Sequence, residues 1–134
     1  MNAFEGRIQR AMKYTEIYAD ENGVSHFRDV EMELTLAQIA PPAPPVHLSA
    51  FKQASEVVFT SVPSGWVGGW HGPPSEGFMF VLEGEVEIEV GDGEVRRFPQ
   101  GAVWFHKDLV GRGHDSRIVS EKDALLVMVK LPDE

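Results

Sequence analysis

The feature that most constrains the fold is a succession of short apolar or alternating stretches, each closed by turn residues. "KYTEIYA" (13–19) runs into the turn "DENG" (20–23), and "VSHFRDVEMEL" (24–34) returns antiparallel to it as a hairpin. Further strands are predicted at 56–62, 66–71, 78–82, 85–90, 94–98, 102–106, 114–120 and 124–131. In "EVEIEV" (85–90), Glu85, Glu87 and Glu89 alternate with Val86, Ile88 and Val90, which describes a strand with one wet face. "GDG" (91–93) then supplies the turn into "EVRRF". Roughly ten strands at this spacing predict an antiparallel sandwich or barrel, an all-β fold.

Two stretches break the rhythm. "APPAPPV" (40–46) has too few amide donors for a helix or a central strand and reads as an extended crossing segment. Residues 1–11 read as a short arm forming at most a helical turn or two. "FMFVL" (78–82) is apolar on both faces, so it belongs in the middle of a sheet, covered by the core on one side and by a second subunit on the other.

The bounds on function come from composition. At 134 residues the chain reads as a single domain, 1–134, with its barrel at about 50–131. It has no cysteine, which excludes disulfides, thiolate metal sites and cysteine nucleophiles. A formal charge of −9 argues against nucleic acid as a partner. No apolar run approaches the roughly 18–20 residues of a membrane span, and the N-terminus lacks a signal peptide's apolar centre. A cytoplasmic location is the resulting expectation.

From Gly65 to Ile118 the residues carry a resemblance. "GWVGGWHGPPSEGFMFVLEG" (65–84) resembles the first motif of the cupins, G(X)5HXH(X)3,4E(X)6G, with Gly65, His71 and Gly84 in place. "GAVWFHKDLVGRGHDSRI" (101–118) resembles their second motif, G(X)5PXG(X)2H(X)3N, with Gly101, Gly111 and His114 in place when two residues are inserted before Gly111. The resemblance implies a double-stranded β-helix, the cupin or jelly-roll barrel of the RmlC-like group, carrying an N-terminal β-hairpin. It also implies a homodimer. The departures are at the metal ligands: Pro73 stands where the family has its second histidine, and Gly77 where it has glutamate. What remains is His71 and His114. Glu76, one residue out of phase, joins them only if a bulge re-aims it.

Strand parity then extends the candidate site. With His71 and His114 facing the interior, Met79, Val81, Val103, Phe105 and Ser116 are expected to line an apolar ligand cavity, and Trp104 and His106 to face away. Trp66 and Trp70 read either as a stacking platform at the barrel mouth or as packing at an edge or interface. His26 and His47 read as surface residues, and Asp115 and Arg117 as an exposed pair.

Three functions fit this inventory. The first is an isomerase, lyase or cyclase acting on a small, partly apolar carbonyl or carboxylic substrate, with His71 and His114 as general acid and base and no cofactor. The second is a metal-dependent oxygenase or hydrolytic enzyme in which His71, His114 and Glu76 weakly hold zinc, iron or manganese. The third is a ligand-binding or sensing module without turnover.

Overall fold

The computed structural model describes residues 10–133. Its eleven strands are β1 (Arg10–Ala19), β2 (Ser25–Ala37), β3 (Val46–Leu48), β4 (Glu56–Val62), β5 (Val67–His71), β6 (Gly77–Glu83), β7 (Val86–Glu89), β8 (Val95–Phe98), β9 (Val103–His106), β10 (His114–Ile118) and β11 (Ala124–Lys130). They form a seven-stranded sheet in the order β3-β2-β1-β9-β6-β11-β4 and a four-stranded sheet in the order β5-β10-β7-β8. Two sheets whose sequence neighbours lie on opposite sides, with β5 and β7 in one and β6 in the other, make the expected double-stranded β-helix. β1 and β2 pair along their whole length as the N-terminal hairpin.

The expected strands are found with small changes at their ends. The end of the proline segment leads into one strand more than expected, β3, which has its full set of amide donors and pairs with β2 at the edge of the large sheet. Of the expected arm, residues 1–9 lie outside the described residues, while Arg10 and Ala11 open β1 instead of a helical turn. Strand 78–82 is central, with β6 flanked by β9 and β11.

The space between the sheets is a packed core. Ile17, Phe27, Val81, Val86, Ile88, Phe98, Trp104, Ile118 and Leu126 are buried there, with Met79 packed against them. Phe98 and Trp104 meet at 4.9 Å between ring centroids. Burial of these side chains, at roughly 1.5–3 kcal/mol each, dominates the stability. It also closes most of the interior, so chemistry is confined to one end of the barrel.

A candidate acid–base site at the barrel mouth

That end is built by β5, β10 and the loop from β9 into β10. His71 closes β5 and His114 opens β10, and the two face each other across one rung of the small sheet with ring centroids 5.0 Å apart. His114 is buried and His71 exposed, so one imidazole lies deep and the other at the opening. The loop that delivers His114 is tight. Gly111 and Gly113 both adopt positive φ, and a side chain at Gly113 would collide with the His71 carbonyl. Buried Ser25 braces the turn: its hydroxyl donates to the Gly113 carbonyl at 2.7 Å and accepts from the Gly91 amide at 2.7 Å.

The same loop carries Asp108, which is fully buried. His114 Nδ1–H donates to Asp108 Oδ2 at 2.6 Å. His71 Nδ1–H donates to the Gly69 carbonyl at 2.7 Å. An acceptor-only partner on Nδ1 fixes the neutral tautomer, so in both rings Nε2 is the bare nitrogen. Two imidazoles with Nε2 free, the deeper one held by a carboxyl group, form the nucleophile-free half of a triad: a base and the group that orients it.

A third imidazole belongs to this end. His106 closes β9, is 5% exposed, and lies directly opposite Gly77 of β6. Its Nε2 is 3.3 Å from where a Cβ on Gly77 would stand. Burial above all, then the neighbouring charge of His114 and, more weakly, His71, pushes its pKa down to about 4 against the opposing pull of Asp108. His106 Nε2, Asp108 Oδ1 and Ser75 Oγ are buried without a hydrogen-bond partner. These three groups leave hydrogen-bonding capacity unused around His114.

Several sequence expectations are corrected. His106 and Trp104 face the interior, and Val103 and Phe105 face outward. The register settles this: Met79 pairs with Trp104 and Phe78 with Phe105, and directly paired residues share a face. The two faces of the large sheet are both apolar, so hydrophobicity alone cannot phase β9. Met79 and Val81 do point inward, but as core members and not as the lining of a cavity. Ser116 also points inward, opposite Ile88. Trp70 pairs with Asp115 on the outer side of the small sheet, its ring covered by the Arg112 guanidinium at 3.8 Å, so it is no platform at the mouth. Asp115 and Arg117 do form an outward ion pair, at 3.2 Å, but it is half-buried instead of exposed as expected. His26 is bound by two carboxylates, and His47 lies in β3 at the far edge of the large sheet.

Glu76 does not complete a metal centre. It lines a neighbouring hollow with Gln53, Pro74, Leu109 and Leu131. Among the described residues no three His, Asp or Glu side chains are placed to hold a metal ion. The donor set therefore does not fit a resident zinc, iron or manganese, which want three or four protein ligands.

No protein-family model matches the sequence, and no curated protein matches it. Solved structures do resemble it. The cupin domain of Schizosaccharomyces pombe Cnp3 is 13% identical, with 95% of this chain and 89% of that one covered at a TM-score of 0.45. NovW, a 4-keto-6-deoxy sugar epimerase from Streptomyces spheroides, is 15% identical over 97% of this chain and 74% of that one, TM-score 0.40. Iron(II) HppE with its substrate is 22% identical over 56% of this chain and 44% of that one, TM-score 0.39. The chain thus spans less than half of HppE. One of these neighbours, the Cnp3 domain, is named a cupin, and likenesses this remote carry nothing about chemistry.

Proposed function

We propose that the chain is a small-molecule enzyme of the isomerase, lyase or cyclase type, moving a proton on a small carbonyl or carboxylic substrate at the mouth around His71 and His114. The observation that carries this reading is the buried 2.6 Å Asp108–His114 hydrogen bond directed at a second imidazole. His114 Nε2 takes the proton from the carbon next to the carbonyl. Asp108 keeps His114 in the Nδ1–H tautomer and stabilises the imidazolium that forms. His71, open to solvent, relays a proton from water through Nε2 to the other end of the system. His106, held neutral by burial, offers an acceptor nitrogen to a hydroxyl or N–H of the bound molecule. With the core packed, the substrate is small and sits at the rim.

The test is proton exchange in D2O with a panel of small keto and hydroxy acids, followed by NMR. Wild-type protein is expected to exchange the carbon-bound proton of at least one class of substrate. His114→Ala abolishes the exchange, and His71→Ala slows it by about 10²-fold, at the low end of what one general acid or base supplies. Exchange that persists in His114→Ala removes the reading. Elemental analysis of protein purified without a chelating tag is its companion: stoichiometric zinc, iron or manganese would reinstate the metal-dependent alternative.

A further inference from the structure

Four strands stand at sheet edges, β3 and β4 in the large sheet and β5 and β8 in the small one. An edge strand offers a row of unpaired amides and carbonyls to any other chain, and proteins ordinarily blunt it. Three of these edges are blunted. β3 has only three residues and follows the proline run. β5 carries Gly68 and Gly69, the latter at a φ of 75°, and its register against β10 shifts. β8 is four residues long and holds Arg96 and Arg97. β4 has none of these devices. It runs for seven residues, its pairing with β11 is unbroken from Val62–Ala124 to Glu56–Lys130, and "VVFTSV" (57–62) contains no proline, glycine or charge.

The side chains of β4 are unsheltered as well. Val57 and Phe59, which share a face with Val129 and Val127, are 58% and 69% exposed. Val58, on the opposite face beside Met128, is 45% exposed. Apolar groups thus stand free on both faces of one edge. A hollow of about 390 Å³, lined by Glu56, Val57, Val58, Met128 and Lys130, opens beside its first residues. Backbone groups that can extend a ladder, with apolar side chains and a slot next to them, are what strand addition by an extended peptide uses.

We propose that β4 is a docking edge for an extended segment of another polypeptide, one with alternate apolar residues and basic residues at its ends. Charge chooses that occupant. Carboxylates stand at both ends of the edge: Glu56, which Lys130 touches at 3.4 Å, and Asp123, whose Oδ1 accepts from the Ser64 amide at 2.9 Å. A second copy pairing antiparallel about Phe59 would set Glu56 of each chain against the Val62–Asp123 end of the other, in chains of net charge −9. A strand with basic ends meets the same carboxylates with opposite charge.

The test is fluorescence anisotropy of a labelled Lys-Lys-Val-Thr-Val-Thr-Val-Lys-Lys peptide against the full chain, with amide hydrogen exchange followed by NMR and circular dichroism as the check on folding. Saturable binding is expected, with slowed exchange of the β4 amides that face away from β11. Methylating alternate backbone nitrogens of the peptide keeps its side chains and charge but removes ladder hydrogen bonds. Binding should then weaken by at least about tenfold, the scale of one or two lost backbone hydrogen bonds. Phe59→Ala changes a residue already facing solvent, so the fold is kept, and should weaken binding by about tenfold. Val95→Ala, at an exposed apolar position on β8, should leave it unchanged. Absence of saturable binding overturns the proposal, and so does equal binding of the methylated peptide or of one with Glu in place of its Lys residues. Protection of the outward β4 amides in the protein alone overturns it too. Protection that grows with protein concentration would make a second copy the occupant, and protection independent of concentration would make it another segment of this chain.

Discussion

Two imidazole–carboxylate clusters occur in this chain, and they share a chemistry while differing in what they can do. In one, His114 Nδ1 meets Asp108 at 2.6 Å in the buried mouth. In the other, His26 Nδ1 meets Asp92 at 2.8 Å and His26 Nε2 meets Asp20 at 2.7 Å on the surface. Their distances scarcely differ. The number of nitrogens consumed does. His26 spends both ring nitrogens on carboxylates and has no lone pair to offer, so it ties the β1–β2 turn to the β7–β8 turn. His114 spends one, and its Nε2 faces a second imidazole with unmet polar atoms nearby. A carboxylate beside a histidine is thus not yet a site. It becomes one when a bare nitrogen and an unsatisfied, water-poor surrounding are left over.

The sharpest way to break this comparison is to make the same change in both clusters. Asp108→Asn leaves the size of the side chain unaltered but allows the wrong tautomer of His114. Proton exchange is expected to fall by about 10²–10⁴-fold. Asp20→Asn should leave exchange within about twofold, since nothing it touches reaches substrate. Equal losses in the two variants would mean that Asp108 acts through stability and not through His114. Melting temperatures of both proteins make that distinction.

Much of the fold was legible in the sequence because it rests on local signals. The alternation in "EVEIEV" and the glycine turn after it place β7 and β8, and the doubly apolar 78–82 marks a central strand. His71 and His114 were legible as motif positions, and the rung pairing brings them together. His106 was not, because its direction depends on which residue of β6 lies opposite it, a matter of register that no single strand encodes. The apolar outer face made the wrong phase equally plausible: Val103 and Phe105 are buried or half-buried on that side. Asp108 left no periodic trace at all. It reaches His114 through the fold-back at Gly111 and Gly113, and the only sequence signal was the pair of closely spaced glycines just before a motif histidine.

His106 also supplies a stability prediction within the mouth. Its folded pKa of about 4 lies below the ordinary 6.5, so between those values the unfolded chain binds a proton that the folded chain does not. Stability therefore falls as pH drops from 6.5 toward 4, and at 1.36 kcal/mol per unit the full window amounts to about 3 kcal/mol. His106→Gln removes this term. In urea titrations its midpoint should decline less steeply than that of wild type over pH 6.5 to 4.5, and parallel curves would show that His106 takes up its proton without unfolding cost.

The surface cluster predicts the opposite slope and a smaller effect. The hydrogen bond to Asp20, then that to Asp92, raises the His26 pKa against an opposing desolvation. A histidine with a raised folded pKa stabilises fully below its unfolded value near 6.5 and loses that contribution as pH rises through the folded value. His26→Gln should accordingly lower the melting temperature by no more than a few degrees at pH 6. The difference from wild type should shrink as pH passes above the raised pKa. Because the groups are solvent-facing, salt should shrink it as well. The same salt should leave the His106-dependent slope nearly untouched, since a buried group is poorly screened. If salt altered both slopes equally, burial would not be what separates the two clusters, and the comparison between them would fail.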